Sequence, residues 1–256
     1  MNAVSHLNKL SKDFLLDVGQ GLVPGYKILK LPGSHLANVE TAQLGDLSRI
    51  PSVVVIPNPG GIQLEVVSSS ASDTSAGTGI QTLDLHYLDT SYDEQEETIT
   101  LAGVTPVNTV ATDIQAVQWM HALTVGSGTV AAGNISLRDT SGVTTYEYIS
   151  AGGNQSLSAH YTVPNGKTAY LQCWHVSGLK KRIDFYLRAT CERADRSLTP
   201  DVFLFQDYEV CEGSNSGDLV GQNIMFPAQC QIKISCQADA VGGEAGGSFT
   251  LLVVDD

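Results

Sequence analysis

The stretch HYTVPNGKTAYLQCW, residues 160–174, decides between two very different folds for this chain. Its Gly166-Lys167-Thr168 matches the end of a nucleotide-binding P-loop, but that loop needs a second glycine five positions earlier, where Tyr161 stands. Pro164 removes an amide that the phosphates would require, and the residues that follow favour a strand over a helix. The stretch therefore predicts a β-hairpin with its turn at 163–167, and it argues against an ATPase.

The composition of the 256-residue chain favours β-structure and assembly. Only 16% of the residues are charged, below the roughly 25% of an ordinary domain, and a surface poor in charge is typical of proteins covered by neighbours. The formal net charge is −13, whereas phosphate binding requires clustered Lys and Arg. The densest basic cluster is Lys180-Lys181-Arg182, so we predict no nucleic-acid partner.

The sequence carries no recognisable targeting or membrane signal. Residues 1–6 lack the charged and apolar regions of a secretory signal, and no run approaches the ~20 apolar residues of a membrane span. We therefore expect synthesis in the cytoplasm and no membrane partner. The five cysteines are odd in number and form no Cys-x-x-Cys pair. This pattern predicts reduced, mostly buried thiols and disfavours a secreted cellular β-protein.

Residues 1–50 differ in kind from the rest of the chain. Glycines and prolines crowd positions 19–33, and no regular element tolerates that density. The same segment carries apolar side chains that a solvated linker would not need, and these are Val23, Tyr26, Ile28, Leu29 and Leu31. We predict an extended N-terminal arm, 1–50, that packs on its own body or on a neighbouring subunit through these residues.

From Ser52 onward, β-prone segments alternate with turn residues. Segment 114–125 fits a helix or a strand by periodicity, and the strand signals on both sides favour a strand. We predict an all-β fold of antiparallel β-sandwich, jelly-roll-like domains at 51–140 and 141–256, with about twelve to fourteen strands and no clear helix.

Residues able to bind metals or to catalyse are present, but not in recognisable patterns. Acidic side chains crowd 89–97, at Asp89, Asp93, Glu94, Glu96 and Glu97. The loop fails the EF-hand pattern, because Glu94 and Thr100 occupy the required glycine and glutamate positions, and we interpret it as a solvated hairpin tip.

The histidines, including His86 and His121, lack metal-ligand spacing, and no Gly-x-Ser-x-Gly elbow occurs. We predict no metal, no cofactor and no enzymatic activity. A glycosidase with two carboxylates distant in sequence is the one enzyme class that spacing leaves open.

Several aromatic residues lie close in sequence around the stretch at 160–174, and the relevant ones are Tyr146, Tyr148, Tyr170 and Trp174. Aromatic platforms on β-sandwiches bind sugars, but alternating aromatics also fill sandwich cores and subunit interfaces. Exposure of several of them in one concave patch would favour sugar binding, and burial would favour a structural role.

Four phrases in order along the chain resemble a family of virion structural proteins from tailed bacteriophages. They are FLLDVGQGLVPGYKIL, LEVVSSSASDTSAGTGIQTLDLHYLDTSYDEQEETITLAGVTPV, GNQSLSAHYTVPNGKTAYL and the closing LLVVDD. The family signatures are kept at Val23-Pro24-Gly25, at 76–79, at 97–101 and at Thr162-Val163-Pro164. The chain departs from them at Asn165, where alanine is commoner, and at 86–89, where Gly-Leu-Asp is usual.

This resemblance implies a non-enzymatic β-sandwich component of the particle, most plainly a capsid decoration (cement) protein. Its expected partners are the major capsid protein and further copies of itself, with a trimer as one arrangement, and its expected location is the outer capsid surface of the virion. The alternative is a tail or adsorption-apparatus protein whose β-sandwich binds a carbohydrate receptor.

Overall fold

The structure is a computed structural model that describes residues 13–35, 44–50, 60–192, 194–212 and 215–256, with the backbone alone at 215–223. Within these ranges the chain forms one short helix and sixteen strands. They are α1 (Phe14–Gly19), β1 (Tyr26–His35), β2 (Gly45–Asp46), β3 (Leu64–Ser68), β4 (Ile80–Leu88), β5 (Glu94–Thr100), β6 (Val107–Asn108), β7 (Ala116–Val125), β8 (Ile135–Asp139), β9 (Thr145–Ile149), β10 (His160–Thr162), β11 (Lys167–Leu179), β12 (Ile183–Ala189), β13 (Leu204–Cys211), β14 (Asn215–Phe226), β15 (Gln231–Ala238) and β16 (Glu244–Asp255).

The first sandwich is built from the middle of the chain. One sheet has the strand order β6-β3-β8-β9 and the other has the order β5-β4-β7, and every pairing is antiparallel. Apolar residues from both sheets form a single buried cluster between them, including Leu64, Leu85, Val117 and Leu137. The strand predicted within 114–125 is confirmed as β7.

The second sandwich combines the N-terminal strand with the C-terminal half of the chain. Its sheets have the orders β1-β16-β11-β14 and β10-β15-β12-β13, and β2 pairs with β15. The alternation predicted for β12 is confirmed, because four residues of one face are buried in this core, and these are Ile183, Phe185, Leu187 and Ala189. The predicted all-β class of antiparallel sandwiches is thus confirmed.

Two sequence-based expectations need correction. Residues 163–167 do form a turn, with Gly166 at φ 66°, but the predicted hairpin is wrong. β10 pairs with β15, whereas β11 pairs with β14 and β16, so the turn connects two different sheets. Part of the predicted arm is also structured, because β1 pairs along its whole length with β16. Positions 1–12 and 36–43 of that arm lie outside the described residues.

Strand β7 also makes hydrogen bonds to the segment that leads into the second sandwich. The Gln118 side chain donates to the Thr162 carbonyl at 2.6 Å and accepts from the Thr162 amide at 3.0 Å. His160 Nε2 lies 2.9 Å from the Val117 carbonyl oxygen. These bonds are buried, so the two cores are joined by buried hydrogen bonds and not by a flexible linker.

Two further observations concern the cysteines and the helices of the described chain. No disulfide joins any of the five cysteines, and four of them are buried, as the sequence predicts. Among the described residues no helix has the length and apolar character needed to cross a membrane.

Candidate functional site

Exposed apolar side chains concentrate at the start of the described chain. Asp13 caps α1 by accepting a hydrogen bond from the Leu16 amide, which fixes one turn and a half of helix against β1. The helix and the loop after it present large apolar groups to solvent, and we call Phe14, Leu15, Leu16, Leu22 and Tyr26 the N-terminal apolar segment. Phe14 and Tyr26 pack edge to face at 5.2 Å, so the segment has a defined shape.

The predicted arm residues divide between this surface and the core. Tyr26 is exposed, and Val23, Ile28 and Leu29 are partly exposed. Leu31 is only 6% exposed and belongs to the second core, so it stabilises the fold and offers no surface to a partner. Within the described residues β1 has one strand neighbour, β16, and on its other edge only the Ser34 amide is bonded, to the Leu157 carbonyl, so the part of that edge beside the N-terminal apolar segment pairs with no described strand.

A second feature is a group of titratable residues on the outer face of the β5-β4-β7 sheet. Asp84 and His86 lie two residues apart on β4 and share a face, and His121 of β7 is the cross-strand partner of Asp84. Asp84 Oδ2 lies 3.5 Å from His86 Nε2 and 3.9 Å from His121 Nε2. We call Asp84, His86 and His121 the His–Asp cluster.

The surroundings of the His–Asp cluster orient its rings. The imidazoles of His86 and His121 stack at 5.5 Å and 18°, and Trp119 stacks on His86 at 4.7 Å. Lys27 Nζ lies 5.8 Å from the centre of the Trp119 ring. A groove of about 270 Å³ opens beside this stack, lined by residues of β1, β4, β5 and β7 that include Lys27, His86, Glu96 and Trp119.

The electrostatics of the cluster are unusual for a solvent-facing sheet. The pKa of His86 is lowered, chiefly because burial disfavours the imidazolium, and Asp84 only partly opposes that effect. The pKa of the Glu96 carboxyl is raised because it shares a hydrogen bond with Asp84 and feels its charge. Asp84 Oδ1 is buried and has no hydrogen-bond partner among the described residues.

Sequence reasoning missed this cluster because it searched for ligand spacing along the chain. The sheet instead brings together two histidines that are far apart in sequence. The one available signal was the alternation at 80–89, which places Asp84 and His86 on the same face of a strand.

Only part of the predicted acidic hairpin tip is a turn: Asp89 and Asp93 lie between β4 and β5, whereas Glu94, Glu96 and Glu97 belong to strand β5. Asp89 Oδ1 accepts hydrogen bonds from the amides of Ser91 and Asp93 in the β4–β5 turn. Glu97 accepts from the amides of Val110 and Ala111, and Glu94 lies 3.5 Å from Lys167 Nζ. The carboxylates are therefore distributed over the β4–β5 turn and the edge strand β5 and do not converge on one point.

The four aromatics proposed from the sequence do not form a joint platform. Trp174 is 1% exposed in the second core, where its Nε1 donates to Asp207 Oδ2, and Tyr146 is buried in the first core. Tyr148 and Tyr170 are partly buried. Two of the four are therefore core residues, in different sandwiches.

A different set of aromatics is exposed together on the second sandwich. Tyr186 of β12 packs against Phe205 and Tyr208 of β13, with ring centres 5.0 Å apart in both pairs. Phe205 and Tyr208 are 52% and 46% exposed, and we call the three residues the aromatic patch. The alternation in β12 that buries Phe185 also turns Tyr186 outward, so this was a readable signal.

Comparison with known proteins gives no family assignment. No family model matches the chain, and no curated protein matches it. Among solved structures, one described as "Crystal Structure of the STIV MCP" aligns with 89% of this chain and 97% of its own, at 10% identity and a TM-score of 0.22. "Structure of infectious bursal disease virus Gx strain" covers 89% of this chain and 72% of its own, at 10% identity and a TM-score of 0.21. Similarity at this level does not assign the chain to a family, so we base its function on its own residues.

Proposed function

We propose that the chain is a non-enzymatic structural subunit of a tailed-phage virion, and specifically a capsid decoration protein that binds the outside of the major capsid protein shell. Three observations support this proposal. The sequence phrases resemble virion structural proteins, the fold is an antiparallel double sandwich, and the surface is poor in charge. The net charge of −13 would repel packaged DNA, which favours a position outside the shell.

The observation that carries the proposal is the N-terminal apolar segment. Leu16 is 51% exposed and Phe14 is 46% exposed, and both lie in a capped helix next to an open sheet edge. Apolar side chains held in a fixed conformation gain most from burial, because little entropy is lost when a partner covers them. A partner strand could at the same time pair with the part of β1 before Ser34, which forms no strand pair on that edge among the described residues.

The proposed mechanism is adhesion through many copies. Val23 and Ile28 are partly exposed and would extend the apolar surface beyond Tyr26, whereas Leu29 packs against the second core and offers a partner only its exposed part. Each Å² of apolar area that the capsid covers contributes about 25 cal/mol, and an array of subunits on one shell makes individually modest contacts durable. Self-association, with a trimer as the simplest arrangement on a threefold axis, would add further contacts of this kind.

The test is the copy number of the protein on purified particles. We would quantify it by mass spectrometry relative to the major capsid protein, for the wild type and for a Leu15→Ser/Leu16→Ser double variant. The matched control is Val143→Ser, which removes an even more exposed apolar side chain, 82% exposed, from the β8–β9 turn.

A decoration protein is expected at hundreds of copies per particle, with occupancy lost in the double variant and kept in the control. A ratio of a few tens of copies or fewer would contradict the capsid location and place the protein in the tail or at a vertex. Equal loss in both variants would contradict the role of the N-terminal apolar segment.

The aromatic patch favours one alternative, a tail or adsorption protein that binds a surface carbohydrate. Tyr186, Phe205 and Tyr208 form an exposed group of rings of the kind on which sugar rings stack. A glycan array probed with the full chain, and with Tyr208→Ala and Val241→Ala, tests it. Binding lost only with Tyr208→Ala would support the alternative, and no binding to any glycan would reject it.

A further inference from the structure

We propose that Asp84, His86 and His121 form a binding site for one divalent transition-metal ion of the zinc type, on the outer face of the β5-β4-β7 sheet. The proposal is independent of the virion role, because it rests on this sheet alone. The sequence predicts no metal site, so the inference comes from what the cross-strand register brings together.

The spacing of the candidate ligand atoms fits a metal. One ligand atom from each of the three residues lies within 4.8 Å of the others, and the Asp84–His86 pair is at 3.5 Å. Ligands at the usual zinc distances in a tetrahedral site are roughly 3.3 Å apart. Small side-chain rotations therefore suffice to bring the two Nε2 atoms and one Asp84 oxygen around a single ion.

The Asp84 carboxylate is the second, independent indication. Its side chain is only 8% exposed, and its Oδ1 atom has no hydrogen-bond partner in the described chain. A buried carboxylate oxygen without a hydrogen-bond partner is costly, so native proteins nearly always satisfy such an atom. A cation coordinated by Asp84 would supply the missing interaction.

A second carboxyl group beside Asp84 also favours a cation at this point. Glu96 of β5 lies opposite His86 and directs its carboxyl group at Asp84. His86 Nε2 and His121 Nε2 lie 3.5 and 3.9 Å from Asp84 Oδ2, and a neutral imidazole offers a lone pair to a metal. One carboxylate and two imidazoles with ligand atoms within 4.8 Å of one another are a typical transition-metal ligand set.

The ligand types identify the class of ion. Imidazole nitrogen favours zinc, cobalt, nickel and copper over the oxygen-seeking magnesium and calcium. Two histidines and one aspartate leave a fourth position, which Glu96 or a water molecule would fill. The stack of Trp119 on His86 would hold that ring in place, as residues around metal ligands commonly do.

The proposed ion would join β4 to β7, because it would bind one histidine from each strand. Both strands line the first core, and β7 also makes the buried bonds to Thr162. Metal binding would therefore stabilise the sheet that joins the two sandwiches, by an amount that depends on metal concentration.

The experiment is a titration of the tag-free, metal-free full chain with Zn²⁺ by isothermal titration calorimetry. We compare the wild type with His121→Gln and Asp84→Asn, and the matched control is His175→Gln, an exposed histidine of the second sandwich. Circular dichroism confirms that each variant is folded. If Asp84→Asn does not fold, His86→Gln takes its place, because His86 is half-buried and its loss leaves no cavity in the core.

The expected result is one Zn²⁺ per chain, an affinity loss of about tenfold or more in both cluster variants, and no change in the control. Mg²⁺ should not compete at equal concentration. Co²⁺ should give a visible absorption band in the wild type that is lost in His121→Gln. No saturable binding of Zn²⁺ or Co²⁺ to the wild type, or wild-type affinity in the folded cluster variants, would overturn the proposal.

Discussion

Ser158 donates a hydrogen bond of 2.6 Å to Oε1 of Glu147, and this bond joins the last strand of the first sandwich to the segment that enters the second. Glu147 is fully buried and also accepts from the Tyr148 amide. Ser158 in turn lies 2.6 Å from the Ser48 hydroxyl. Ser48, which is far away in sequence, is thus joined through Ser158 to one buried carboxyl group.

Because of Glu147, we expect the free energy of unfolding of the protein to depend on pH. Burial raises its pKa from 4.5 to about 8, so the folded state keeps the proton that the unfolded state releases. Because the unfolded state binds fewer protons between pH 4.5 and 8, the free energy of unfolding falls as pH rises through that window. His160, whose pKa is lowered by burial, acts in the opposite sense below pH 6.5.

The range from pH 6.5 to 8 therefore isolates Glu147. We expect the free energy of unfolding to fall by about 2 kcal/mol across it, at about 1.4 kcal/mol per pKa unit. Urea unfolding at several pH values measures this change. Glu147→Gln should remove most of the slope, while Asp239→Asn, in an exposed turn, should keep it. An unchanged slope in Glu147→Gln would contradict the assignment.

We expect the removal of the Asp73 carboxylate to destabilise the first sandwich strongly. Its buried carboxylate accepts hydrogen bonds from Ser68 Oγ and from the amides of Ile80, Ala132 and Gly133, so it ties together two loops. Asp73→Ala should lower the free energy of unfolding by about 3 kcal/mol or more, because it leaves buried amides unpaired.

Asp73→Asn should lie between the alanine variant and the wild type, since its amide group cannot accept at both oxygen positions. Ser75→Ala, at an exposed position of the same loop, should change the free energy of unfolding by less than about 0.5 kcal/mol. Chemical unfolding monitored by fluorescence compares the four proteins. Equal stability of Asp73→Ala and Ser75→Ala would show that the carboxylate does not organise the loops.

We expect the removal of Asp46 and the removal of Lys233 to lower the free energy of unfolding by different amounts. Lys233 Nζ donates to Asp46 Oδ2 at 2.8 Å, and Ser235 and Arg188 contact the other oxygen of Asp46. Asp46→Ala should cost about 3–5 kcal/mol, because it leaves the buried ammonium of Lys233 without its counter-charge. Lys233→Met should cost less, because Asp46 keeps its two other partners.

The exposed pair of Lys180 and Glu244 is the control, and Glu244→Ala should cost at most about 1 kcal/mol. A larger loss in Lys233→Met than in Asp46→Ala would contradict this order.

Gly33 tests whether β1 is docked on the second sandwich. A Cβ atom at this position would clash with the Leu47 carbonyl oxygen and would lie 2.7 Å from the backbone nitrogen of Ala159. Gly33→Ala should therefore lower the free energy of unfolding by about 1–3 kcal/mol. Gly19→Ala, where nothing lies within 4 Å of the added atom, is the matched control and should be neutral or slightly stabilising. A thermal melt distinguishes them, and equal melting temperatures would mean that β1 is not docked as described.

The fold class and many local features of this protein follow from short-range patterns in its sequence. Alternation predicted β12 and its buried face, and the choice of a strand at 114–125 was correct. Asn165 and Gly166 marked a true turn. Such features depend on side-chain periodicity and on local backbone preferences, which a short window of sequence contains.

Which strands pair and which side chains meet depends on the tertiary structure. The turn at 163–167 separates two sheets, β1 joins the closing strand, and His86 meets His121 across β4 and β7. Register and sheet order follow from the burial of one face of every strand at once, so they depend on contacts between distant parts of the chain. For that reason the His–Asp cluster could not be read from residue spacing, whereas the strands that carry it could.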